Sequence, residues 1–216
     1  MSAPARTFTV RHVQLLRAVF AALSALMITF SADHSAEVGF AVFGGFVGAS
    51  GFVLVFSAWL VARPGGRWQY VALGIIDLVA AMASGVPTWR TDAAFFIVVI
   101  IWAAATGLIE LIAGLRARGT DAAAAKDAIT VGALGLILAL VLLIIPSGYA
   151  LGYAVPGAGA FTLTGIILAV GMLGGYTAIV AVFLAIAGFS PRRDEIENDA
   201  ATADATSGPV ETGGAA

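Results

Sequence analysis

Six hydrophobic stretches dominate this chain, at roughly 12–30, 38–62, 68–86, 93–115, 127–146 and 161–189. Each is near or above the ~20 residues that an α-helix, rising ~1.5 Å per residue, needs to cross ~30 Å of hydrocarbon. A backbone in lipid has no water to satisfy its N–H and C=O groups, so apolar stretches of this length are read as spanning helices. With 60% hydrophobic and 11% charged residues, the chain lacks the polar surface of a water-soluble domain, where about a quarter of residues are charged. The expected fold class is all-α: a polytopic membrane protein whose six transmembrane helices occupy residues 12–190.

The basic residues give those helices a direction. Of eleven Lys and Arg residues, ten flank the spans at one end: Arg6, Arg11 and Arg17, then Arg63 and Arg67, then Arg116, Arg118 and Lys126, then Arg192 and Arg193. The other end carries only Arg90. Short basic loops are retained in the cytoplasm during insertion, so both termini are expected there and the 147–160 connection outside. The N-terminal apolar run is longer than a signal-peptide h-region, and residues 1–11 read as a cytoplasmic segment ahead of a retained span. The tail, residues 191–216, has six acids and almost no large apolar side chain, which predicts a disordered acidic segment. The basic residues are topogenic anchors spread over helix ends without aromatic interleaving, so no nucleic-acid partner is expected. The lipid bilayer is the expected partner.

The spans read as three copies of one helical hairpin. Ala49-Ser50-Gly51 superposes on Ala105-Thr106-Gly107, and Ile186-Ala187-Gly188-Phe189 echoes Ile112-Ala113-Gly114-Leu115. Among the odd-numbered spans, Gly74-Ile75-Ile76 matches Gly135-Leu136-Ile137, with Pro87 and Pro146 ending their spans. Small residues mark the faces where helices approach closely in lipid. Three such stripes are Gly44/Gly48/Gly51, Ala103/Gly107/Gly114 and Gly171/Gly175/Ala178. They are expected to pack the hairpins within one chain, with a homodimer contact or a substrate-lining surface as the alternative use of the same faces; a homo-oligomer or other membrane proteins are the further partners considered.

This grammar, carried by Trp68-Gln69-Tyr70-Val71-Ala72-Leu73-Gly74-Ile75-Ile76-Asp77, the Pro87 turn and Ala105-Thr106-Gly107-Leu108-Ile109-Glu110-Leu111-Ile112-Ala113-Gly114-Leu115-Arg116, resembles the HdeD-type acid-resistance membrane proteins. That family consists of bacterial six-span proteins built of short hydrophobic repeats, and the likeness covers roughly residues 12–190. It implies residence in the bacterial inner membrane and an association with acid or stress tolerance. It implies no catalytic residues.

Two acids lie inside spans, where a charge at the centre costs at least ~2.5–3.5 kcal/mol. Glu110 shares a stripe with Ala103, Gly107 and Gly114 and so faces protein; Arg17 lies at comparable depth in the first span, which predicts an Arg17–Glu110 ion pair. Asp77 is near the middle of the third span with no basic residue at its depth. If spans three and four are antiparallel neighbours, equal depth pairs positions summing to about 179, which sets Asp77 level with Trp102. The indole N–H can then donate to the carboxylate. Arg17, Asp77, Trp102 and Glu110 form the candidate intramembrane polar site.

Other chemistry finds no residues to carry it. The chain has no cysteine, its two histidines, His12 and His34, are predicted on opposite faces of the membrane, and no phosphate loop, Ser/His/Asp set or metal-ligand spacing is present. No cofactor, metal or catalytic residue is expected. The function expected is that of a non-enzymatic integral membrane protein of the acid-stress type, acting through packing or partner contacts. The alternative is a small transporter or proton pathway using Asp77 and Glu110.

Overall fold

The structure, a computed structural model, describes residues 8–61, 67–157 and 159–190. The acidic tail at 191–216 and the first seven residues lie outside the described part. Among the described residues six α-helices follow in chain order: α1 (Val10–Phe30), α2 (Ala36–Leu60), α3 (Arg67–Ser84), α4 (Asp92–Ala117), α5 (Ala122–Ile144) and α6 (Gly165–Phe189), with one 3-10 turn at Pro87–Trp89. Four begin at side-chain caps, where Ser35, Thr91, Asp121 and Thr164 accept a hydrogen bond from an amide three residues on.

All helices but α3 are long and apolar enough to cross a membrane. Among the described helices, α3 differs because it has only 18 residues and carries Arg67, Gln69, Tyr70 and Asp77. At ~1.5 Å per residue it still reaches ~27 Å.

A β-hairpin interrupts the all-α pattern. Strands β1 (Ala150–Val155) and β2 (Gly159–Thr164) pair antiparallel between α5 and α6, so α6 starts at Gly165 and not at residue 161. Pro156 and Gly157 lead the turn, with Gly157 at φ +82° and Gly159 at φ +98°, a conformation open to glycine at no steric cost. Phe161-Thr162-Leu163-Thr164 reads as the continuation of an apolar helix in sequence, but its Thr and Phe residues suit a strand equally well.

The helices close a ring. Each packs on its sequence neighbours, α1 also packs on α6, and α2, α4 and α6 meet at the centre. The most extensive contacts are α4 with α5, α1 with α6 and α2 with α3, so the tight pairs straddle the hairpins expected from the repeat. Glycine explains two of them. A Cβ added at Gly132 of α5 would lie 2.6 Å from the Leu111 amide nitrogen and 2.7 Å from the Gly107 oxygen of α4, both backbone atoms. A Cβ at Gly74 of α3 would lie 3.0 Å from the Gly51 oxygen of α2.

The small-residue stripes therefore divide. Gly44, Gly48 and Gly51 face α3, and Gly107 and Gly114 face α5. The stripe Gly171/Gly175/Ala178 is exposed, with nothing within 4 Å of a Cβ at either glycine, and it is Gly174 and Gly188 that meet α1, at Ile28 and Leu15. The sixth-helix stripe expected to pack inside the chain faces outward, because α6 turns the next glycine position to its neighbour.

Candidate functional site

The four expected site residues lie on three helices whose packing brings them to one place. Arg17 Nη2 of α1 donates to Glu110 Oε1 of α4 at 2.8 Å, with side chains 21% and 9% exposed. Trp102 Nε1 of α4 donates to Asp77 Oδ1 of α3 at 2.7 Å, and both residues are 5% exposed. Glu110 is thus met by a full positive charge, whereas Asp77 is met by a neutral dipole that serves a carboxylate or a carboxylic acid alike. No basic side chain hydrogen-bonds Asp77 among the described residues.

The Trp102 ring is held by its neighbours as well as by its hydrogen bond. It stands edge-on to Phe43 at 5.1 Å and Phe46 at 6.0 Å, both on α2, and to Tyr176 of α6 at 5.9 Å. Such arrangements favour the T shape because the positive edge of one ring meets the negative face of the next. Trp102 therefore sits where the three inner helices converge. Trp59, Trp68 and Trp89, by contrast, are exposed at helix ends, as interfacial anchors would be.

Arg17, Asp77, Trp102 and Glu110 all line one cavity of about 20 Å³, together with Ser50, Thr106 and Tyr176. A second cavity, about 110 Å³, is lined by Gln14, Gln69, Tyr70 and Asp127 and shares Arg17 and Glu110 with the first. Gln14 Nε2 donates to Asp127 Oδ2 at 3.1 Å on its wall. Gln14, Gln69 and Asp127 come from the starts of α1, α3 and α5, the ends that carry Arg11, Arg67 and Lys126. Polar groups thus stand at intervals from the basic end of the bundle to Asp77, among Leu54, Leu73 and Leu184, which border both cavities.

Beyond Asp77 the lining changes. Phe40, Phe43, Phe95, Val99, Val170 and Leu173 fill the centre, each 1% exposed or less, with Phe40 and Phe95 edge to face at 5.2 Å. Ser84 in this half bonds its own helix at the Ala80 oxygen. The Arg90–Glu37 pair at the far end is a surface contact of 3.5 Å and contributes little.

Sequence reasoning does not single out Gln14, Ser50, Thr106, Asp127 or Tyr176 as part of this set. Ser50 and Thr106 are visible there as matching hydroxyls in the repeat. Asp127 and Gln14 are hidden because polar residues near a span end look like ordinary interfacial residues. His12 and His34 are at opposite ends of the bundle, and no group of three or more His, Asp or Glu forms a metal site among the described residues.

No family model, curated protein or solved structure matches this chain.

Proposed function

We propose that this is a non-enzymatic, six-span protein of the bacterial inner membrane, of the HdeD-like acid-stress type, whose buried acids exchange protons with the cytoplasmic side. The observation that carries the reading is the shared wall of the two cavities: Arg17 and Glu110 border both, so Asp77 lies one small cavity away from the basic end. The ten-to-one basic asymmetry supports that end as cytoplasmic. The helical repeat in sequence and the internal likeness of Ser50 and Thr106 support a fold assembled from repeated hairpins. The outward Gly171/Gly175/Ala178 stripe supports a second copy as partner, since small residues let helices approach in lipid.

The apolar packing beyond Trp102 favours reversible uptake at a closed-ended site over steady conduction. An acid jump on purified protein in vesicles, read with a pH indicator, should show one proton fewer taken up by Asp77→Asn than by the wild type. The Asn Oδ1 still accepts from Trp102, so assembly should be kept. Equal uptake by the two proteins would rule out Asp77 as the acceptor. A steady flux that vanishes in Asp77→Asn would establish the conducting alternative.

Orientation has its own test. Cysteine labelling is free of background because the chain has none, and Tyr149, 37% exposed beside the β-hairpin, is a suitable position. A Tyr149→Cys variant should react with a membrane-impermeant reagent in intact cells. Reaction only after permeabilisation would reverse the topology.

A further inference from the structure

Within the smaller cavity one buried group has no partner. Ser50 is 3% exposed, and its Oγ makes no hydrogen bond among the described residues, although Ser50 lines the cavity that both buried pairs also line. A buried hydroxyl left unpaired costs free energy that a bound molecule can recover. The cavity measures about 20 Å³. A single water needs about 10–15 Å³ and two to four polar partners.

The partners are present. Trp102 uses only Oδ1 of Asp77 and Arg17 only Oε1 of Glu110, which leaves Oδ2 and Oε2 outside those bonds. The Thr106 hydroxyl donates to the Trp102 carbonyl oxygen at 2.8 Å and keeps its lone pairs. Tyr176 of α6 adds a third hydroxyl to those of Ser50 and Thr106. Phe46, Leu54, Leu73, Val180 and Leu184 complete the wall, so the cavity is mixed in character, with polar partners enough and volume enough for one water, unlike a wholly apolar void of the same size.

We propose that one ordered water occupies this cavity at Ser50 and bridges Asp77 to Glu110, acting as the proton relay between the two buried pairs. The Glu110 carboxylate first takes a proton from the larger cavity that it also lines, forming an O–H bond at Oε2. That bond breaks as the proton passes to the water, while one of the water's own O–H bonds breaks and an O–H bond forms on the Asp77 carboxylate. The water is thereby restored and Glu110 returns to the carboxylate paired with Arg17. The relay role rests on the proton-exchange reading above, whereas the water's presence does not. The groups facing Asp77 in this arrangement are Arg17 from α1, Trp102 and Glu110 from α4 and Tyr176 from α6, with Ser50 from α2 uncharged.

Infrared spectroscopy on the full chain in lipid vesicles separates the two statements. The wild type should show a sharp water O–H stretching band that shifts in H₂¹⁸O, and Ser50→Val, which fills the space and removes the hydroxyl, should lack it. Ser50→Ala, which adds no bulk, should keep the band at a shifted frequency and guards against misfolding of the Val variant. Hydrogen–deuterium exchange of the Asp77 carboxyl, identified by its loss in Asp77→Asn, should slow by an order of magnitude in Ser50→Val. Absence of an ¹⁸O-sensitive band from the wild type would overturn the water. Equally rapid carboxyl exchange in wild type and Ser50→Val would overturn the relay. If the band is present but the Asp77 carboxyl never exchanges, the water stands and the proton-exchange reading falls.

Discussion

Arg17→Leu is expected to destabilise the folded bundle by about 3–5 kcal/mol, while the double change Arg17→Leu/Glu110→Leu costs much less. The single substitution removes the guanidinium that sits 2.8 Å from Glu110 Oε1 and strands a carboxylate whose side chain is only 9% exposed. The double substitution removes both desolvation penalties and leaves two apolar side chains where lipid-like packing is the norm. A double-mutant cycle, measured by unfolding in mixed micelles, should therefore give a coupling of well over about 1 kcal/mol, far outside the ~0.3–0.5 kcal/mol within which independent sites add. Additive losses would mean that the two residues do not stabilise one another.

Gly132→Leu should be nearly as damaging, at about 3 kcal/mol, the upper part of the range for overpacking. Even a Cβ at this position meets the α4 backbone, at Leu111 N and Gly107 O, so no side-chain rotation relieves the clash. The α4–α5 pair must separate, and Glu110 lies on the same helix between those two contacts. Gly171→Leu is the matched control: a Cβ there meets nothing within 4 Å, and the monomer should change by no more than about 0.5 kcal/mol. Unfolding in micelles compares the two directly. Equal losses would show that glycine matters here for reasons other than close approach. A fall in self-association of Gly171→Leu, read by cross-linking in vesicles, would count in favour of the outward stripe as a contact between copies.

Depth is the legible coordinate in this sequence. A slab of fixed thickness turns residue number into height, and that alone matches Asp77 with Trp102 and Arg17 with Glu110. Azimuth is not legible. Gly171 and Gly174 are three residues apart and equally small, yet only Gly174 faces α1. Both faces of a lipid-embedded helix are apolar, so composition does not tell inside from outside as it does for a helix in water. The tight helix pairs are hidden for the same reason. Strand β2 escapes notice because Phe161-Thr162-Leu163-Thr164 prolongs an apolar run, and Thr164, the residue that caps α6, looks in sequence like one more Thr. Ser50 stands out in sequence only as a sign of repetition, since nothing in a linear pattern shows that a hydroxyl lacks a partner.

Helix α3 has a consequence for how the chain is made. It emerges from the ribosome with Asp77 at its centre and without Trp102, the donor that meets that acid in the finished bundle. Helix α2 is already available, and the Gly51–Gly74 approach gives α3 a wall to lean on before α4 exists. With α3 as a span, as proposed above, an aspartate at mid-helix costs the insertion machinery about 2.5–3.5 kcal/mol. The least apolar helix is thus best delivered as the second arm of a pair, held beside the exit site until α4 arrives and closes over it. On the six-span reading proposed above, the order of synthesis contains a vulnerable interval, between the appearance of residue 77 and that of residue 102.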